Sequence, residues 1–138
     1  MRLSKMITSN GKYSCVIVGD EFRFLILLKE YISLIPKMKL SGSFLTSVPS
    51  TIDFLDEEPI DFLILDIGME ISRKNIMANF GKRVKHLIII TNDNENTLDI
   101  FDENGNGILI KPVAFESFAK TINLMISKER RNLNRDNS

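Results

Sequence analysis

One cysteine in 138 residues, Cys15, leaves no partner for an internal disulfide. The chain therefore suits a reducing compartment, and a cytoplasmic location is expected. Cys15 lies inside an apolar run and reads as a small core residue. Charge of either sign is not in excess: 18 basic side chains balance 18 acidic ones. No global field then draws the chain to nucleic acid or to a membrane surface. Apolar runs are short and broken by charge, too short to cross a bilayer as helices. Arg2 and Lys5 are not followed by the apolar stretch of a secretory leader. The single histidine, His86, stands before an apolar run and reads as structural or solvated, not as a phosphohistidine or metal ligand. No Gly-x-Ser-x-Gly occurs, so a serine-elbow hydrolase is unsupported. No internal repeat, low-complexity segment or helix-turn-helix is evident.

What is present describes one ordinary globular domain. Apolar residues make up 43% and charged residues 26%, and the length suffices for a real core. Residues 13–18 are β-branched and apolar, as a strand requires. Residues 21–35 carry Phe22, Leu25, Ile26, Tyr31, Ile32 and Ile35 at helical spacing, with Pro36 as a stop. A second strand is predicted over 39–45 and a second helix over 49–57. Pro59 and Asp61 bracket the turn into a third strand that ends at Asp66. A helix over 71–80 closes at Gly81, and a fourth strand covers 84–90. A short helix is predicted over 95–101. Gly105 and Gly107 mark a turn into a fifth strand over 108–110. Phe115, Phe118, Ala119, Ile122 and Ile126 define the clearest amphipathic helix. Continuous apolar strands alternating with helices predict an α/β fold: a doubly wound (βα)5 domain with a parallel five-stranded sheet. The domain spans 13–127. Residues 1–12 form a loose arm, and 128–138 a solvated polar tail or a linker into a further domain.

The strand ends carry the chemistry. Asp66 closes the run Asp61-Phe62-Leu63-Ile64-Leu65-Asp66. Gly19, Asp20 and Glu21 follow the first strand, Thr91 the fourth, and Lys111-Pro112 the fifth. In open α/β sheets, ligands bind outside the carboxyl ends of the strands. Two acids, a hydroxyl and a lysine converging there suit a divalent cation and a phosphoryl group.

In these four motifs, and in their order, the chain resembles the receiver domain of two-component response regulators over about residues 13–127. The resemblance implies a flavodoxin-like strand order 2-1-3-4-5. It implies that Asp66 accepts a phosphoryl group from a histidine kinase. It places Mg²⁺ between Asp20, Asp66 and the backbone carbonyl of Gly68. Thr91 would bond a phosphoryl oxygen, Lys111 would pair with the phosphoryl group, and the bond before Pro112 would be cis. The face of the fourth helix, fifth strand and fifth helix would serve output, often as a homodimer. An output domain beyond the tail is a further implication. Catalysis is limited to the domain's own phosphorylation and dephosphorylation.

The departures are specific. Gly19 stands where the family places a second acid, so Mg²⁺ binding is expected to be weakened. Ile67-Gly68-Met69-Glu70 lacks the family's usual proline and glycine turn. Ile108 occupies the place of an aromatic switch residue. Gly19 and Ile108 favour an alternative, a pseudo-receiver acting as a phosphorylation-independent interaction module. A flavodoxin-type flavin protein would need a phosphate loop rich in Ser, Thr and Gly after the first strand. The acidic Gly19-Asp20-Glu21-Phe22 would instead repel a phosphate without metal.

Overall fold

The computed structural model describes residues 11–45, 60–66, 84–92 and 106–136. Five strands lie there: β1 (Tyr13–Gly19), β2 (Met38–Leu45), β3 (Ile60–Asp66), β4 (Val84–Thr91) and β5 (Gly107–Ile110). Two helices accompany them, α1 (Phe22–Ser33) and α2 (Phe115–Asp136). The strands form one parallel sheet in the order β2-β1-β3-β4-β5. This is the predicted α/β order. The helices predicted over 49–57, 71–80 and 95–101 lie outside the described residues, as does Gly68.

Why β1, β3 and β4 occupy the centre follows from their composition. Every residue of β3 is buried, and so are Cys15 to Gly19 and Leu87 to Ile90. A strand covered on both faces needs a continuous apolar run, not alternation. Successive side chains divide between two cores. Cys15, Ile17, Phe62, Ile64, Ile88 and Ile90 pack with Leu25, Leu28 and Ile32 of α1 and Phe118, Ile122 and Met125 of α2. Val16, Val18, Leu63, Leu65, Leu87 and Ile89 form the opposite core. β2 is an edge strand and only partly buried. Its register against β1 slips between Cys15 and Val16, leaving Ser41 unpaired as a bulge.

Two expectations are corrected. Residues 128–136 continue α2, so the boundary expected after residue 127 falls inside a helix. Lys, Glu, Arg and Leu propagate a helix well, and Glu129 docks inward, 3.4 Å from His86. His86 lies within β4, as the strand predicted over 84–90 requires. Helix α1 also ends earlier than predicted, at Ser33. Leu34 and Ile35 then turn back through bonds to Tyr31 and Ile32.

Candidate phosphoryl-acceptor site

Gly19, Asp66 and Ile90 form one register row across β1, β3 and β4. Asp20 is the next residue of the chain after Gly19. Thr91 ends β4 and pairs with Ile110, immediately before Lys111. The parallel sheet thus brings Asp20, Asp66, Thr91 and Lys111 to one edge.

Asp66 is the buried member: its side chain is 3% exposed. Lys111 Nζ lies 2.8 Å from Asp66 Oδ1. Oδ2 is buried and has no hydrogen-bond partner among the described residues. Burial raises the Asp66 pKa above the usual carboxylate range. Lys111 opposes that rise, while Asp20 and Glu21 add to it by repulsion. Burial prevails because the ionised form loses hydration that one cation replaces only in part.

Lys111 is held from several sides. Its backbone N–H donates to the Thr91 carbonyl at 2.9 Å, and the Lys111–Pro112 bond is cis. Its ammonium lies 4.4 Å from the centroid of the Phe24 ring. Glu21 Oε2 is 3.7 Å away, on a side chain that is 61% exposed. The Tyr31 hydroxyl donates to the Val113 carbonyl at 2.8 Å, tying the loop after β5 to α1. Phe24 and Tyr31 are seven residues apart and so share one face of α1.

Phe24 was not expected at this site, whereas Glu21 was named among the residues that follow the first strand. Glu21 is the N-cap of α1, yet its side chain makes no capping bond. Phe24 was hidden among the apolar residues of its helix. The only signal for Phe24 was its spacing of three from Glu21, which places the two on neighbouring turns of one face.

A second polar group, also missed, lies toward the amino ends of the strands. Asp61 is buried, not at a turn. Its Oδ2 accepts from the Ser14 N–H at 2.9 Å and from the Ser14 hydroxyl at 3.2 Å. Lys85 Nζ is 3.6 Å from Asp61 Oδ1. His86 stacks on Phe62 with ring centroids 4.6 Å apart.

No protein-family model and no curated protein matches the chain. Solved structures do. The response regulatory domain of protein mrkE from Klebsiella pneumoniae aligns at TM-score 0.69 and 19% identity, covering 86% of this chain and 98% of that one. RcsB from Salmonella enterica serovar Typhimurium, bound to promoter rprA with phosphomimetic BeF3⁻, aligns at 0.66 and 19%. That match covers 84% of this chain but only 61% of RcsB. The signal receiver domain of a modulated diguanylate cyclase from Desulfovibrio desulfuricans G20 aligns at 0.62 and 16%, covering 88% and 98%. The chain has the fold of response-regulator receiver domains.

Proposed function

We propose that the chain is a receiver domain that accepts a phosphoryl group on Asp66 from a histidine kinase and thereby switches a protein-interaction surface. The observation that carries this reading is the buried Asp66 carboxylate with Lys111 at 2.8 Å, at the carboxyl edge of a receiver-like sheet. A lysine positioned on the acceptor oxygen is poised to follow negative charge onto the transferred group.

The residues fit a weakly held Mg²⁺. Lys111 engages one oxygen of Asp66, and the other is without a partner among the described residues. Asp20 and Glu21 act on Asp66 by repulsion against the one lysine, Lys111, so the edge carries surplus negative charge. Among the described residues, no three metal-ligating side chains are gathered. Asp20 and Asp66 would be the side-chain ligands, with the Gly68 carbonyl as a further donor. When bound, the ion would neutralise charge on the phosphoryl oxygens.

In the transfer, an Asp66 oxygen forms the new P–O bond as the P–N bond to the donor histidine breaks. The imidazole nitrogen leaves with the bonding pair and takes a proton from solvent. Lys111 moves from Asp66 Oδ1 to a phosphoryl oxygen, and the Thr91 hydroxyl donates to another. Ile108 is buried in β5 and offers no ring to swing behind Thr91. The change would therefore pass through the loop after β5 to α2. Output through the face that includes β5 and α2, in a homodimer or toward a further domain, completes the reading. Among the described residues no helix is long and apolar enough to cross a membrane. A cytoplasmic location belongs to this proposal.

The second reading is a pseudo-receiver. The tight packing around Gly19 favours it, since a Cβ there would lie 3.0 Å from Leu25 Cδ2. Intact-mass spectrometry after incubation with acetyl phosphate separates the two. A Mg²⁺-dependent gain of one phosphoryl group, lost in Asp66→Asn, supports the receiver. No gain in a folded protein turns the assignment to the pseudo-receiver.

A further inference from the structure

The lysine at this site has an unusual seat. A lysine side chain is long and mobile, and holding it in one place costs conformational entropy. Lys111 is nevertheless only 19% exposed, with its ammonium 2.8 Å from Asp66 and 4.4 Å from the centre of the Phe24 ring. Phe24 is itself fixed, because it packs against the core shared by α1 and α2. Tyr31, on the same helical face, holds the backbone two residues past Lys111 through the Val113 carbonyl. One face of α1 therefore grips both the backbone and the charged end of this segment.

We propose that Phe24 is a positioning residue: its ring seats the Lys111 ammonium beside Asp66, ready for an incoming phosphoryl oxygen. This rests on the phosphoryl-acceptor reading of Asp66. An aromatic face attracts a cation through its quadrupole without occupying any of its N–H donors. All three donors of Lys111 stay available to carboxylate and phosphoryl oxygens. A carboxylate in the same place would hold the ammonium by directed bonds and compete with the phosphoryl group. Glu21 does this only weakly, at 3.7 Å from a largely exposed side chain. The attraction to a ring also changes little as the cation slides across it. The ammonium can then move from Asp66 Oδ1 to a phosphoryl oxygen without losing its support.

The test uses the full chain as wild type, Phe24→Leu and Phe24→Tyr. Two signals are read in each: the NMR shift of the Lys111 Cε protons, and affinity for beryllofluoride with Mg²⁺. The ring is expected to move the Lys111 Cε protons upfield in wild type and in Phe24→Tyr. Phe24→Leu should lose that shift and bind beryllofluoride about fivefold to tenfold more weakly, the scale of a partly desolvated cation–π contact. Phe24→Tyr should bind as wild type does. Absence of the upfield shift in wild type overturns the seat. Equal beryllofluoride affinity in wild type and Phe24→Leu overturns its role in phosphoryl binding. If wild type shows the shift but binds no beryllofluoride, the phosphoryl-acceptor reading fails and the proposed role in phosphoryl binding falls with it. The seat then remains only as a structural contact. A folded-state spectrum for Phe24→Leu separates these outcomes from simple misfolding.

Discussion

Gly19 and Asp66 are register partners across β1 and β3, and a Cβ on Gly19 would lie 3.2 Å from both the Cβ and the carbonyl oxygen of Asp66. The second acid of the family is therefore not merely missing. The space around its Cβ is closed by the neighbouring strand and by Leu25 Cδ2 at 3.0 Å. Leu25 can yield at the tip of its side chain, but a backbone carbonyl within a five-stranded sheet yields poorly.

Gly19→Asp is accordingly expected to destabilise the fold by about 1–3 kcal/mol, the usual cost of overpacking a filled site. Gly19→Ala should show most of this loss, because the Cβ makes the close contacts. Urea titration of both variants checks it. An unchanged midpoint for Gly19→Asp would mean that β1 and β3 separate at little cost and that the acid can be restored.

Asp61 is a buried carboxylate whose Oδ2 accepts from both the N–H and the hydroxyl of Ser14, 47 residues away in sequence. The Asp61 N–H donates back to the Ser14 hydroxyl at 3.0 Å. Asp61→Ala strips the Ser14 N–H of this acceptor and is expected to cost about 2 kcal/mol. Ser14→Ala removes the hydroxyl's bonds, the acceptor of the Asp61 N–H among them. It keeps the Ser14 N–H bond to Oδ2 and the Lys85 pair, and should cost about 1 kcal/mol. Denaturant midpoints that place Ser14→Ala at or below Asp61→Ala would contradict this ordering.

How far the sequence could be read depended on whether a residue's role was local. Asp66 and Lys111 were legible because each ends a continuous apolar strand, and parallel strands deliver their ends to one edge. The strand order needed the family resemblance, since hydrophobic pattern alone does not choose among doubly wound orders. Asp61 was misread because Pro59 just before it signals a turn, while its partner Ser14 is distant in sequence. Phe24 was invisible because a ring packed on a core and a ring under an ammonium have the same helical spacing. The helical course of residues 128–136 was missed because the segment is mostly charged and polar and carries no apolar stripe. Its anchor, Glu129 beside His86 and Lys85, is a tertiary contact.

His86 supplies a pH dependence of known sign. It is largely buried, and burial lowers its pKa below the ordinary 6.5, against opposing attraction from Glu129 and Asp61. Glu129 Oε1 is 3.4 Å from Nε2, but Nε2 has no hydrogen-bond partner among the described residues, so desolvation prevails. Between the lowered value and 6.5 the unfolded chain binds a proton that the folded chain refuses. Stability should be full above pH 6.5 and fall as the pH drops through that window. His86→Gln should remove this segment of the acid-side decline. Thermal melts at stepped pH decide the matter, and parallel curves for the two proteins would refute it.

The Asp66–Lys111 pair should show itself as an energetic coupling even without any phosphoryl donor. The carboxylate is 3% exposed, the ammonium 19%, and the two are 2.8 Å apart, so solvent screens them far less than a surface pair. Lys111→Met leaves a buried carboxylate without this cation, whereas in an Asp66→Asn background the same change leaves only a neutral amide. The loss caused by Lys111→Met should therefore be smaller in Asp66→Asn than in wild type, by about 1–2 kcal/mol of coupling. Glu21→Gln should couple to Lys111→Met by no more than about 0.5 kcal/mol, because its carboxylate is 61% exposed and 3.7 Å away. The cycle is measured by denaturant unfolding at neutral pH without divalent cations. Additive losses for Asp66 and Lys111 would mean that the lysine does not hold the acceptor carboxylate in solution. The geometric basis for phosphoryl transfer would then go with it.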